Sequence, residues 1–226
     1  MLTARSLFVP VALAVLGAGC APQSGPAPEA PATHAVARLA EACVNIGVKG
    51  CTTTEGGYFN VAGRVLYWQI QSGETSSDLS GAAYVFIIKD GAGDLRSVAS
   101  GADGYFYEAP SLVRVDQTAH LAIAGRMRGT GNFNADALYR LTPDGASPLV
   151  KLDNESWRDT LTRHLPPGLG VRKGVSFTYG DETITALTSL WRDADGECCP
   201  TGGEARLFFA IEDDRLVLRS AERLAS

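Results

Sequence analysis

The sequence has no apolar run long enough to cross a bilayer and no cluster of basic residues. Its longest apolar run, from Leu7 to Leu16, is about half of the roughly 20 residues that a transmembrane helix needs. The 20 Lys and Arg residues are outnumbered by 25 Asp and Glu residues, which gives a formal net charge of −5. Because phosphate-backbone recognition depends on clustered basic side chains, the composition predicts no nucleic-acid partner.

The motifs of common hydrolases are also missing. The sequence contains no Gly-x-Ser-x-Gly elbow, no Ser-x-x-Lys and no His-Glu-x-x-His, which are spacings that place a nucleophile beside its base or two imidazoles on one metal. The leading hypothesis is therefore a non-catalytic binding or structural module without a cofactor, whose protein or small-molecule partner the sequence does not identify. The alternative is a periplasmic hydrolase with an unrecognised His-centred site, for which the candidates are His120, His164, Asp116, Asp136 and Ser176.

Residues 1–19 have the pattern of an export signal. A charge at Arg5 precedes the apolar run, and small residues follow it at Gly17-Ala18-Gly19. The next residue is Cys20, and Leu16-Gly17-Ala18-Gly19-Cys20 resembles the bacterial lipobox, although the lipobox usually has a large aliphatic residue where Gly17 stands. The resemblance implies that Cys20 is lipidated and anchors a periplasm-facing protein in the cell envelope, at the outer membrane in a Gram-negative host. Simple secretion after cleavage near Ala21 is the alternative.

Residues 20–33 contain four prolines and no large apolar side chain. Such a segment cannot bury a core, so we expect a flexible tether after the lipidated cysteine. The remaining residues, 34–226, suit a single domain.

Four further cysteines follow Cys20, namely Cys43, Cys51, Cys198 and Cys199. An even number in an oxidising compartment predicts two disulfides. The spacing leaves all three connectivities open, including a vicinal pair at Cys198-Cys199 and two links that join the start of the domain to its end. A zinc site is the competing interpretation, but the Cys-x-x-Cys spacing is absent and adjacent side chains converge poorly on one metal.

Short runs rich in β-branched and aromatic residues predict strands through most of the body. The runs are 65–70, 83–88, 105–107, 112–115, 120–124, 175–177, 184–191, 205–211 and 216–218, with turn signals at Asp90-Gly91, Asp103-Gly104 and Asp144-Gly145. Helical spacing predicts only two short helices, one from Thr33 to Cys43 and one from Glu155 to His164 with Asn154 as its cap. The expected fold is therefore mainly β, a β-rich α+β domain of antiparallel sheets with one or two short helices.

Two loops alternate oxygen-bearing side chains in the manner of calcium loops. Asp193, Asp195 and Glu204 frame the first, and Asn132, Asn134 and Asp136 form the second. The turn glycine that calcium loops require is missing from both, so we interpret the first as a disulfide-stapled turn and the second as a turn former. The Cys-Cys-Pro-Thr-Gly-Gly string at 198–203 and the segment 129–138 resemble parts of bacterial secreted proteins and lipoproteins, a resemblance that implies no particular activity.

Overall fold

A computed structural model describes residues 39, 42–44, 46–61, 63–75, 80–89, 92–142, 148–180 and 183–225. Cys20, the tether and the turn signals Asp90-Gly91 and Asp144-Gly145 lie outside these residues. Within the described residues, no helix is long and apolar enough to cross a membrane.

The described chain forms sixteen strands and one 3-10 helix. The strands are β1 (Lys49–Val61), β2 (Arg64–Glu74), β3 (Ser80–Lys89), β4 (Leu95–Gly101), β5 (Phe106–Tyr107), β6 (Ser111–Val115), β7 (Thr118–Ile123), β8 (Gly125–Arg126), β9 (Ala137–Leu141), β10 (Leu149–Lys151), β11 (Leu169–Gly170), β12 (Ser176–Tyr179), β13 (Ile184–Ser189), β14 (Trp191–Arg192), β15 (Glu204–Glu212) and β16 (Arg215–Arg223). The helix spans Ser156–Arg163.

Three four-stranded antiparallel sheets make up the body. The first has the order β1-β2-β3-β4, the second β10-β9-β7-β6 and the third β12-β13-β15-β16. Two-stranded ribbons, β5-β8 and β11-β14, complete the set of sheets in the described residues. The mainly β prediction is confirmed.

The second sheet lies between the other two. Along β7, Leu121 and Ile123 pack into one core with the first sheet, whereas Ala122 packs into another core with the third sheet and the 3-10 helix. In β9, Tyr139 and Leu138 divide between the same two cores. Because neighbouring side chains of a strand point to opposite faces, a sheet covered on both faces requires an unbroken apolar run, and 121–123 is such a run.

The N-terminal segment covers the outer face of the first sheet. Leu39 packs there against Val85 and Ile87 of β3. The buried Gln69 side chain donates hydrogen bonds to the carbonyls of Leu39 and Ala42 and accepts one from the backbone N–H of Val44 at 3.0 Å. A Cys43–Cys51 disulfide fastens the same segment to β1.

The two helix predictions have different outcomes. Of the first expected helix, Thr33 to Cys43, the structure describes Leu39, Ala42 and Cys43, which are not helical, and the other residues lie outside the described part of the chain. The carbonyls of Leu39 and Ala42 accept hydrogen bonds from the Gln69 side chain instead. The second helix is present, with Trp157 and Leu161 buried as its spacing predicts.

The predicted cap of the second helix is wrong. Asp153 Oδ1 accepts the backbone N–H groups of Glu155 and Ser156 at 3.0 and 3.1 Å. Asn154 is buried and instead donates to the carbonyl of Asp136 at 2.8 Å. The carboxylate therefore satisfies the free N–H groups at the helix start that the sequence assigned to the amide.

Candidate functional site

Two tight hairpin turns carry carboxylates where glycine is common. β6 and β7 are joined by Asp116-Gln117, and β15 and β16 by Asp213-Asp214. All four residues have positive φ, at 48°, 62°, 48° and 57°, as both central residues of a type I′ turn must. The tips of a second-sheet hairpin and a third-sheet hairpin are therefore both acidic.

A cavity of about 250 Å³ lies between these two turns. Its lining is contributed by both hairpins and by β9, from Val115, Asp116, Thr118, His120, Arg140, Ile211, Asp213 and Asp214. The cavity thus brings together three carboxylates, one guanidinium and one imidazole from separate parts of the chain.

His120 is the buried polar group of this cavity, with a relative exposure of 2%. Its Nδ1 lies 3.0 Å from the carbonyl oxygen of Thr118. Because a carbonyl can only accept a hydrogen bond, Nδ1 carries the proton and Nε2 is left as an acceptor. No described group donates to Nε2, which is itself buried.

Burial is the main influence on the His120 ring and lowers its pKa below the usual value. The Thr118 carbonyl opposes this shift, and Arg140 adds to it. The neutral imidazole is therefore the form that the cavity favours at neutral pH.

Arg140 and Asp214 form a two-point ion pair across the cavity. Arg140 Nε donates to Asp214 Oδ1 at 2.6 Å and Nη2 donates to Oδ2 at 2.8 Å. The hydrogen bonds from Arg140 lower the pKa of Asp214. The pair therefore joins the β15–β16 turn to β9, and Arg140 is the cross-strand partner of His120 on the neighbouring β7.

Asp116 and Asp213 have no such partner. Among the described residues, neither carboxylate takes part in an ion pair or a side-chain hydrogen bond. With Asp214 neutralised by Arg140, the cavity carries an uncompensated negative charge from these two turn residues.

The hydrolase candidates separate into distinct places. Asp116 and His120 share the cavity, but Ser176 Oγ lies 3.4 Å from Arg126 Nη2, and Asp136 also contacts Arg126, at 3.3 Å. His164 is the C-terminal cap of the 3-10 helix. Among the residues that the structure describes, His120 thus has neither a hydroxyl at Nε2 nor a carboxylate at Nδ1, the two contacts that define a nucleophilic triad.

The segment with Asn132, Asn134 and Asp136 makes hydrogen bonds that connect two parts of the protein interior. Asn134 Nδ2 donates to Asp136 Oδ2 at 2.5 Å and to the Val175 carbonyl at 2.8 Å. Its Oδ1 accepts the Val175 N–H at 2.8 Å, so the amide links the second sheet to the start of β12. Burial raises the pKa of Asp136 to about 6, against the opposing hydrogen bond from Asn134 and the charge of Arg126.

The Cys198 loop is held by one carboxylate. Asp195 Oδ2 accepts the backbone N–H groups of Arg192 and Thr201, both at 2.7 Å, and Oδ1 accepts the Thr201 hydroxyl at 2.6 Å. Cys198 is paired with Cys199, so the pairing to the N-terminal cysteines does not occur. Both cysteines are exposed. Asp195 thus uses both carboxylate oxygens within the loop itself.

The three tryptophans differ in burial. Trp157 and Trp191 lie in the interior. Trp68 is half-buried and lines an apolar groove of about 420 Å³ on the β1–β2 hairpin with Tyr58 and Tyr67.

In the described part of the chain, no group of three or more His, Cys, Asp or Glu side chains is arranged to hold a metal ion. Comparison of the chain with protein-family models, with curated proteins and with solved structures gives no match. The geometry around His120 therefore stands as the basis for a functional hypothesis.

Proposed function

We propose that this protein is a lipid-anchored binding module of the bacterial cell envelope and that the His120 cavity is its binding site. The observation that carries the proposal is the pair of carboxylates Asp116 and Asp213, which line the cavity on two turns and take part in no ion pair or side-chain hydrogen bond among the described residues. Uncompensated charge of one sign in a concave site attracts ligands of the opposite sign, so the cavity favours a ligand that carries positive charge.

Envelope location rests on the sequence. Residues 1–19 and the lipobox-like string ending at Cys20 support export and lipidation. A Cys43–Cys51 disulfide in the structure is compatible with an oxidising compartment. The body faces the periplasm in this proposal, attached to the membrane through the N-terminal lipid.

Binding is favoured over hydrolysis by the contacts of the imidazole. A base that activates a hydroxyl must lie within hydrogen-bonding reach of it, whereas His120 is oriented by a backbone carbonyl and has no hydroxyl of a described residue at Nε2. Ser176, the serine proposed for a hydrolase, is held by Arg126 instead.

Location is tested by expressing the full chain in a Gram-negative bacterium as wild type and as Cys20→Ser. We expect wild type in the membrane fraction, with a lipid-modified Cys20 in its mass spectrum, and the variant in the soluble periplasmic fraction. Wild-type protein recovered in the cytosol with an uncleaved N-terminus contradicts the proposal.

Binding is tested by thermal denaturation of the full chain against a panel of small amines, amino acids, sugars and carboxylates. We expect at least one compound to raise Tm in wild type and to have a smaller effect on Asp116→Asn/Asp213→Asn. These substitutions suit the turns because asparagine tolerates positive φ. A panel in which every compound acts equally on both proteins contradicts a binding role for the cavity.

A further inference from the structure

We infer that the Cys198–Cys199 disulfide is a redox site that accepts two electrons from a dithiol, whereas the Cys43–Cys51 disulfide has a structural role. The inference goes beyond the proposed binding function, because no residue of the Cys198 loop lines the His120 cavity. It assigns a second, separate site and the chemical class of its reactant.

The two disulfides differ in access. Cys198 and Cys199 are both exposed to solvent, and so is the preceding Glu197, whereas Cys43 and Cys51 are half-buried. Exchange begins when a thiolate attacks a disulfide sulfur, so its rate depends on access to that sulfur. The Cys198–Cys199 bond is therefore the more open of the two to an incoming thiol.

The two disulfides also differ in the spacing of their backbones. Disulfides usually join Cα atoms about 4.4–6.8 Å apart, and bonds outside this range are reduced more readily. The Cα atoms of Cys43 and Cys51 are 6.2 Å apart, within the range. Those of Cys198 and Cys199 are 3.8 Å apart, the fixed distance across a trans peptide bond. Adjacency in the sequence thus makes the second bond easier to reduce.

The Cys198–Cys199 bond adds little to the stability of the fold. In the chain-entropy relation, a disulfide stabilises a protein by closing a loop of the unfolded chain. Cys198 and Cys199 have a sequence separation of 1 and enclose no residue between them, whereas Cys43 and Cys51 are separated by 8. Opening the Cys198–Cys199 bond therefore releases almost no additional chain.

The Cys198 loop is also held by contacts that do not involve the sulfurs. The Asp195 carboxylate accepts the backbone N–H groups of Arg192 and Thr201, both at 2.7 Å. From outside the loop, Arg172 donates to the carbonyls of Asp195 and Arg192 at 2.8 and 3.0 Å. These contacts keep the two sulfurs close together after reduction, so the bond can form again.

Exchange with a dithiol is balanced without a further reactant. One thiolate of the dithiol bonds to the sulfur of Cys198 or Cys199, the bond between these cysteines breaks, and its electron pair passes to the sulfur that leaves. The second thiolate then attacks the mixed disulfide, which releases the oxidised reactant. Two electrons and two protons have then passed from the dithiol to Cys198 and Cys199.

The test is reduction of the full chain, purified with both disulfides formed, in dithiothreitol buffers of increasing ratio of reduced to oxidised reagent. N-ethylmaleimide traps the free thiols, and peptide mass spectrometry measures each cysteine separately. We expect Cys198 and Cys199 to be half-reduced at a ratio at least about tenfold lower than Cys43 and Cys51.

Two double variants that each remove two cysteines separate a redox role from a structural one. Cys198→Ser/Cys199→Ser should keep Tm within about 2 °C of wild type, because the Asp195 and Arg172 contacts remain. Cys43→Ser/Cys51→Ser is the matched control and should lower Tm by at least about 4 °C.

Two further reactants at equal dithiol concentration identify the source of the electrons. Dihydrolipoamide is a small dithiol, and reduced thioredoxin is a dithiol on a protein. Faster reduction of Cys198 and Cys199 by thioredoxin assigns a protein reactant, and faster reduction by dihydrolipoamide assigns a small molecule.

Reduction of both disulfides at the same ratio, or of Cys43–Cys51 first, overturns the inference, because Cys198–Cys199 would then have no distinct reactivity. A Cys198→Ser/Cys199→Ser variant whose Tm falls as far as that of Cys43→Ser/Cys51→Ser overturns it as well, because the bond would then be structural. Either result leaves the proposed binding function of the His120 cavity untouched.

Discussion

Asp136 is a buried carboxyl whose pKa is raised to about 6, mainly because burial disfavours its charged form. Its ordinary pKa is 3.8, so the folded state binds the proton more tightly than the unfolded state between these two pH values. By linkage, the contribution of Asp136 to stability is fully present below about pH 3.8 and is lost as the pH rises through about 6.

The Asp136→Asn variant removes this titration. Relative to the variant, the free energy of unfolding of the wild type should fall by about 3 kcal/mol between pH 3.5 and pH 7.5, since each pKa unit corresponds to about 1.4 kcal/mol. Urea denaturation at a series of pH values measures the difference. If the free energies of unfolding of the two proteins had the same pH dependence, the pKa of Asp136 would not be perturbed. Asp159→Asn serves as the control at an exposed position.

At the residue scale, the sequence identified two of the five charged or titratable side chains that line the candidate site. His120 and Asp116 were named as candidates from their residue types. Arg140, Asp213 and Asp214 were not, because their place depends on the pairing of His120 with Arg140 and on the meeting of two hairpins nearly 100 residues apart in the chain. No local pattern encodes either relation.

At the scale of elements, the β6–β7 turn holds two non-glycine residues at positive φ, with Gln117 at 62°. A left-handed conformation costs a non-glycine residue about 1–2 kcal/mol, and glycine avoids this cost. Part of the resulting stabilisation is lost because glycine has greater conformational freedom in the unfolded chain. Gln117→Gly should therefore raise the free energy of unfolding by about 0.5 kcal/mol in urea denaturation. A loss of stability would indicate that the glutamine side chain makes a stabilising contact.

The Cys43–Cys51 disulfide is the covalent link of the N-terminal segment, with a sequence separation of 8. In the chain-entropy relation, closing a loop of this length stabilises the folded state by about 2–3 kcal/mol. Cys43→Ser/Cys51→Ser should lose about that much in urea denaturation. Hydrogen exchange at Val44, whose N–H bonds to Gln69, should accelerate more than exchange at Leu121 in the second sheet. Equal acceleration of hydrogen exchange at Val44 and Leu121 would contradict a stabilising effect confined to the N-terminal segment.

Strands with apolar runs were predictable, and strands without them were not. The 120–124 run predicted β7 because both faces of that strand are covered. β1, Lys49–Val61, was missed because its glycines, threonines and glutamate show no apolar alternation. Pairing with β2 makes it a strand. β9, Ala137–Leu141, follows the buried Asn134 and Asp136, which the sequence indicated as turn residues.

At the scale of the whole molecule, the second sheet supports a core on each face. Leu121 and Leu138 are both 0% exposed but belong to different cores. Leu112 is the cross-strand partner of Leu121 and is 45% exposed. Because the second sheet has an apolar core on each face, the three four-stranded sheets form three layers.

Leu121→Ala and Leu138→Ala should each lower the free energy of unfolding by about 2–5 kcal/mol, the usual cost of a large-to-small change in a core. Leu112→Ala should cost about 0.5 kcal/mol or less. Chemical denaturation of the three variants measures the contrast. A small effect at either Leu121 or Leu138 would contradict a sheet with two buried faces.

The central claim is that the cavity holds His120 as a neutral imidazole whose Nδ1 proton is donated to the Thr118 carbonyl. Long-range ¹H–¹⁵N NMR of the ¹⁵N-labelled full chain at pH 7.5 reads the protonation of each ring nitrogen directly. We predict a protonated Nδ1 and an unprotonated Nε2. A proton on Nε2 would contradict the account.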